Sequence, residues 1–245
     1  MSTPSARERI LGRLRSAAPA TGAKTHDTHD IDARIDAHYT QQRSGTGIST
    51  SQLVQSMRAA LIASHAEVWC ANAASWPALI AQRLAARGVR RVLIDDARPE
   101  GGALAHSLDP TIEAIPFAQP IEAWKAKLFD TVDAGFTVAR SGIASTGTLI
   151  LEPDAGTPRS VSLVPPLNIA LVHAPTLHPD MHTAAKAERW CEGMPANLVL
   201  VSGPSKTSDI QQTLAYGAHG PRELWVVIVI EESTTVKSNA PGANR

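Results

Sequence analysis

The stretch from Ala66 to Asp95 constrains the fold most. "AEVWCA" (66–71) is a short β-rich run. Ser75 then stands at a helix N-cap, and Pro77 is tolerated in the first turn. Trp76, Leu79, Ile80 and Leu84 recur on one helical face, Gly88 ends the helix, and "RRVLID" (90–95) is again β-rich. Strand, helix and strand within about thirty residues is the pattern of parallel strands joined by a helical crossover. A chain that contains such a unit is committed to an α/β layout, with helices laid over a sheet.

The remaining patterns extend that layout. Leu53, Val54, Met57, Leu61 and Ile62 keep helical spacing ahead of the unit. "TIEAIPF" reads as a strand, and Ile121, Trp124 and Leu128 mark a short helix. The apolar runs 148–151, 168–172, 197–201 and 224–230 read as strands buried on both faces. Hairpin-like connections are expected between 143 and 173, a helix around 178–190, and a crossover before 197. Upstream, Ser5-Ala6-Arg7-Glu8 fits a capping box that opens a helix over 5–17. Residues 18–50 are polar, with one short helix expected from Ile31 to Gln41. The expectation is an open mixed α/β sheet flanked by helices over 51–232. An N-terminal helix and polar linker (1–50) precede it, and a polar, disordered tail (233–245) follows.

Composition narrows the function classes. Of 245 residues, 43% are hydrophobic, enough for a sizeable core, and the formal net charge is +0. That balance argues against nucleic acid or anionic membrane as the main partner. The two cysteines, Cys70 and Cys191, are too few to hold an iron–sulfur cluster or a four-ligand zinc site. No apolar stretch approaches the ~20 residues of a membrane span, and the N-terminus lacks a secretory apolar region. The expected location is the cytoplasm; the Arg-rich, amphipathic N-terminus leaves a mitochondrial transit peptide as the alternative.

"VSGPSKTSDIQQTLAYGAHGP" (201–221) concentrates loop chemistry around one expected helix. A helix starting near Thr207 would leave backbone N–H groups free beside Gly203, Pro204, Ser205, Lys206, Thr207 and Asp209, an arrangement that favours an anion. The alternative is an ordinary cap by Ser205 or Thr207. The spacing is not that of a Walker A loop. His219 and Gly220 follow Gly217, itself a good left-handed C-cap, and histidine is the side chain that ordinarily titrates near neutrality. The two ends of an eight-residue helix lie about 12 Å apart, so a shared pocket requires the chain to fold back after Gly220.

"SGIASTGTLIL" (141–151) brings Thr146, Gly147 and Thr148 to a turn before a strand. It is not a nucleophile elbow, because Gly142 and Ser145 are three apart. The choice there lies between a turn with special glycine dihedrals and a turn that offers hydroxyls and N–H groups to a ligand. Arg159, read at the start of a strand, suits a carboxylate or phosphate, or a surface ion pair. His178 and His182 share a helical face, with His173 as the nearest third ligand, and His26, Asp27, His29, Asp30 and His38 fall in a solvated polar tract. No metal site is expected from either group. No G-x-G-x-x-G follows a strand, and no cofactor is expected.

Taken in order, "SGIASTGTLIL", Arg159, "SLVPPLNIALV", "SGPSKTSDI" and "GAHGP" resemble the successive motifs of the lactate utilization protein C family (LutC/YkgG), built on the LUD domain. "SARERILGRLR" is similar to that family's opening helix. The resemblance implies a fold like that of sugar-phosphate isomerases and coenzyme A transferases (NagB/RpiA/CoA transferase-like). It also implies a role in bacterial oxidation of L-lactate to pyruvate, beside iron–sulfur and oxidoreductase partner subunits. It supplies no assigned catalytic residues. Two positions depart from it: Ser145 stands where the family often has Glu, and Asn168 where it often has His. The leading expectation is an accessory or ligand-binding subunit holding a small anion at the loop-rich end of the sheet, where ligands sit in open α/β folds. The alternatives are a stand-alone enzyme of isomerase or acyl-transfer type and a metabolite sensor.

Overall fold

The computed structural model describes residues 6–17, 28–42, 47–208 and 214–230. Ser5, Asp209 and the polar tail lie outside the described residues. The chain divides into two units, Met1–Thr46 and Gly47–Arg245. The first contains α1 (Ala6–Ala17) and α2 (Thr28–Gln42), the second helix being longer than the sequence pattern predicts.

The second unit opens with α3 (Thr50–Ala63), set by a full capping box. Ser49 Oγ accepts from the Gln52 N–H, and Gln52 Oε1 accepts from the Ser49 N–H at 2.8 Å. Then come β1 (Glu67–Ala71), α4 (Trp76–Arg87), β2 (Arg91–Leu93), α5 (Pro99–Ser107), β3 (Glu113–Ile115), α6 (Ile121–Thr131) and β4 (Ala134–Val138). With β7 (Leu167–His173) and β12 (Glu223–Val229) these strands form a six-stranded sheet in the order β1-β12-β7-β4-β2-β3. Every pairing in it is parallel. The expected strand–helix–strand unit is present, but its two strands are not neighbours: β12, β7 and β4 lie between them.

A second sheet carries the mixed pairing, in the order β8 (Leu177–His178), β5 (Ser141–Ile143), β6 (Thr148–Leu151), β9 (Val199–Val201). Here β5–β6 and β6–β9 are antiparallel, while β5–β8 is parallel. The run 197–201 was expected to be buried on both faces; β9 is instead an edge strand with Leu200 48% exposed. Arg159 does not start a strand either. It heads the short helix α7 (Arg159–Leu163), entered through Pro158, whose fixed φ suits the position before a helix.

The core is layered. One face of the large sheet (Ala170, Val172, Val226, Ile228) packs on Val54, Met57 and Leu61 of α3 and on Leu149 and Leu151 of the second sheet. Its other face (Phe136, Ile169, Leu171, Val227) packs on Trp76, Ile80 and Leu84 of α4 and Leu104 of α5. Burial on both faces explains the unbroken apolar runs of β7 and β12. The far face of the second sheet, Ile143 and Ile150, is covered by Ala184 of α8 (Met181–Ala187).

Candidate functional site

The helix expected near Thr207 is replaced by a strand. β10 (Lys206–Ser208) pairs antiparallel with β11 (Leu214–Tyr216), Lys206 opposite Tyr216 and Thr207 opposite Ala215. The ladder pairs backbone groups that a helix N-terminus would have left free for an anion, and no helix starts at Thr207. The hairpin has a second consequence. It removes the 12 Å separation and returns the chain to its starting point. Gly217, at φ +79°, donates its N–H to the Ser205 carbonyl at 3.0 Å. The Ser205 N–H donates to the Pro221 carbonyl at 2.8 Å. Loops 202–205 and 217–221 thus form one wall.

Behind that wall lies a cavity of about 170 Å³. Gly203, Pro204, Ser205, His219 and Gly220 line it, together with Ser202, β9, and Ser162 and Leu163 of α7. Asn168 and Leu224 also line it from the main sheet. Two glycines permit the closeness. A Cβ on Gly220 would stand 3.1 Å from Ser205 Cβ, and one on Gly203 would stand 2.8 Å from the Ser64 carbonyl oxygen at the end of α3.

Asn168 is the cavity's distinctive residue. It is 2% exposed, and its Oδ1 is buried with no hydrogen-bond partner. The sheet register explains this: Asn168 sits between Gly135 of β4 and Leu224 of β12, neither of which carries a side-chain donor. Nearby, Ser162 spends its hydroxyl proton on the Arg159 carbonyl, 3.1 Å away. An orphaned buried acceptor costs about 1–3 kcal/mol, a penalty that a bound donor removes.

The cavity lies at the amino ends of β7 and β12, since Asn168 and Leu224 are the second residues of those strands. Open α/β sheets commonly hold ligands at the opposite, carboxyl end of their strands. The remaining candidates spread around it. Thr146 and Thr148 share a hydrogen bond at 2.7 Å, and Thr148 Oγ1 meets Ser202 Oγ at 2.8 Å. That hydroxyl chain ties the β5–β6 turn to the loop lining the cavity. Gly147, at φ +62°, lies against the Leu61 backbone of α3. Lys206 is exposed and Thr207 half-buried on β10, outside the cavity lining. Arg159 is exposed, also outside the lining, and makes no ion pair among the described residues.

His178 lies on β8. Burial pushes its pKa down, against the opposing pull of Glu188 and Asp180. Among the described residues, no group of three or more His, Cys, Asp or Glu side chains is placed to hold a metal ion. The buried Glu188 carboxylate accepts from Ser141 Oγ and from Trp190 Nε1 at 2.9 Å, and it forms an ion pair with Arg140 at 3.3 Å. These contacts fasten the end of α8 to the second sheet.

One feature escaped the sequence reading. At the carboxyl ends of β1, β7 and β12 a cleft of about 560 Å³ is lined by Asn72, His173, Pro175, Val229 and Ile230, among others. His173 Nε2 lies 3.0 Å from Glu100 Oε1 on the first turn of α5. The partners are 73 positions apart, and no local pattern joins them. Asn168, in contrast, left a signal: it is the one polar residue within the run "LNIALV".

A parallel sheet flanked by helices, packed on a second, mixed sheet, defines a layered α/β domain. The LUD domain family model matches residues 54–229, and the chain belongs to that family. The uncharacterized protein NMB1437 of Neisseria meningitidis serogroup B is 35% identical over 230 residues, covering 93% of this chain and 95% of that one. Lactate utilization protein C of Anoxybacillus flavithermus is 25% identical over 202 residues, 79% of this chain and 88% of that protein. Lactate utilization protein C of Shouchella clausii is 35% identical over 103 residues, 41% of this chain and 45% of that protein, so this match spans under half of either chain. A crystal structure of a DUF162 family protein from Deinococcus radiodurans superposes with a TM-score of 0.55 at 24% identity, covering 75% of this chain and 99% of that one. It shares the fold. Among the described residues, no helix is long and apolar enough to cross a membrane.

Proposed function

We propose that this chain is the ligand-binding, accessory component of a bacterial lactate-oxidising system, and that the cavity beneath loops 202–205 and 217–221 holds a small carboxylate. The observation that carries the reading is the buried, partnerless Asn168 amide facing a cavity into which the two loops converge. LUD membership and the relatives named lactate utilization protein C support the lactate context. Lys206, exposed on the adjoining strand, supplies positive charge near the entrance loops. Electron transfer belongs to iron–sulfur and oxidoreductase partners. Cys70, its thiol pushed up by burial, and Cys191 cannot hold a cluster between them.

The test is capture of the tagged full-length chain from cells grown on lactate. The recovered complex should contain an iron–sulfur protein and reduce a dye acceptor when lactate is added, while the purified chain alone should not. Robust lactate turnover by the isolated chain would overturn the accessory role.

A second reading, a stand-alone enzyme, draws on the His173–Glu100 pair. A carboxylate-held imidazole in a cleft at the carboxyl end of a parallel sheet is the arrangement a general base needs. Turnover of any hydroxy or oxo acid by the isolated chain, lost in His173→Gln, would favour this reading over the first.

A further inference from the structure

We infer that the cleft at the carboxyl ends of β1, β12 and β7 is a second ligand site, built for an uncharged, largely apolar molecule with a hydrogen-bond donor at one end and an acceptor at the other. The inference is independent of the cavity beneath loops 202–205 and 217–221, and its occupant is not one of the acids considered above.

The sheet register sets out the floor of the cleft. Ala71 and His173 both pair with Val229, so Asn72, which follows β1, and His173 stand on either side of β12 at nearly one level. Two inter-strand spacings put their backbones about 10 Å apart. Side chains alternate along a strand, so His173 shares the face of Ile169 and Leu171, the face packed on α4 and α5. Between the two polar residues the lining is hydrocarbon, from Ala73, Ala74, Pro175, Val229 and Ile230. At about 560 Å³ the cleft has the size of a small-molecule site, and its lining is the usual one, mostly apolar with a few placed polar groups.

Each polar residue has one end committed and the other free. Asn72 Oδ1 accepts from the Ser75 N–H at 2.8 Å, which fixes the orientation of the amide and leaves its NH₂ to donate. His173 Nε2 lies 3.0 Å from Glu100 Oε1 and donates its proton to that carboxylate. Nδ1 of the neutral ring then carries a lone pair and accepts. Neither the Asn72 NH₂ nor His173 Nδ1 has a hydrogen-bond partner among the described residues. A molecule laid across β12 therefore meets an acceptor at one end and a donor at the other.

Charge turns an acid away. No described lining residue is Lys or Arg. Glu100 stands behind His173, and Arg98, at the head of α5, is already paired with Asp95 at 3.2 Å and with Asp154. A carboxylate entering the cleft would lose hydration and gain no cation. A neutral molecule loses less and gains by covering the hydrocarbon floor.

The experiment is NMR titration of the full-length protein with 4-(hydroxymethyl)benzamide, whose hydroxyl and carbonyl sit at opposite ends of one ring. The backbone amides of Asn72, Val229 and Ile230 should shift saturably, and those of Gly203 and Ser205 should not. The methyl ether of the probe lacks the donor and should bind about fivefold more weakly, the factor for one neutral hydrogen bond. 4-(Hydroxymethyl)benzoate, with a carboxylate in place of the amide, should also bind more weakly than the amide. His173→Phe keeps a ring and removes Nδ1, so it should bring alcohol and ether to equal affinity. Should that variant fail to fold, the comparison of alcohol and ether in wild type decides by itself. Equal affinities of alcohol and ether in wild type, or tighter binding of the benzoate, would overturn the assignment. So would the absence of shifts at Asn72, Val229 and Ile230 with all three probes.

Discussion

The Ser205 N–H donates to the Pro221 carbonyl at 2.8 Å, and this bond closes the wall of the cavity. Sixteen positions of sequence separate the two residues, yet the β10–β11 hairpin returns the chain to within one hydrogen bond. The contact converts two Gly-Pro-containing loops into one surface.

Closeness at the wall makes Gly203 sensitive to bulk. A Cβ there would stand 2.8 Å from the Ser64 backbone oxygen, a group held at the end of α3. Gly203→Val should cost about 1–3 kcal/mol through overpacking. For a chain of this size, each kcal/mol lowers the melting temperature by about 2–4 °C. Gly220→Ala, whose nearest neighbour is the Ser205 side chain at 3.1 Å, should cost less. Thermal unfolding of both variants checks the order, and the reverse order would contradict the loop packing.

The hydroxyl chain Thr146–Thr148–Ser202 should be measurable as a coupling. Thr148 is 6% exposed, so Thr148→Val removes two hydrogen bonds at nearly constant volume and should cost about 0.5–1.5 kcal/mol for each bond lost. A double-mutant cycle with Ser202→Ala should return a coupling above about 0.5 kcal/mol. Strict additivity would mean that the turn and the cavity loop are independent.

Acid should weaken the fold through His178. Burial lowers its folded pKa below the usual value of 6.5, so the unfolded chain binds the proton more readily. The associated stability is fully present above the unfolded pKa and is lost as pH falls through 6.5 towards the depressed folded value. Denaturant midpoints from pH 8 to 5 should fall more steeply for wild type than for His178→Gln. Parallel pH profiles would remove His178 from the account.

Charge at the entrance should act weakly. Lys206 is exposed, and such charges are screened within roughly 8 Å at physiological salt. Lys206→Ala should weaken L-lactate binding by less than about tenfold and flatten its salt dependence. A complete loss of binding in this variant would show that Lys206 contacts the ligand directly.

Much of the fold was legible in the sequence. Runs such as "LNIALV" and "LWVVIV" announce strands buried on both faces, and Trp76, Ile80 and Leu84 announce the face of α4, because burial writes directly into hydrophobic periodicity. Strand order was not legible. β1 pairs with β12, more than 150 positions away, and no local pattern encodes that choice. The polar stretch after Ser205 has too little apolar periodicity to distinguish a helix from a two-stranded ribbon, and its ladder partner decides. The apolar residues after Arg159 suit a strand and a helix equally, and α7 is only five residues long, too short for helical periodicity to show. The candidate cavity was half visible. Gly203, Ser205, His219 and Gly220 stand out in the sequence as loop chemistry, and Asn168 as a departure from the family it resembles. That Asn168 lies without a partner follows only from its register beside Gly135 and Leu224.

The most direct test of the cavity as the ligand site is amide NMR of the full-length protein titrated with L-lactate. The account predicts saturable shifts at Gly203, Ser205, His219 and Gly220 and at the Asn168 side-chain NH₂. Shifts confined to Asn72 and His173, at the other end of the sheet, or no shifts at any of these residues, would contradict it.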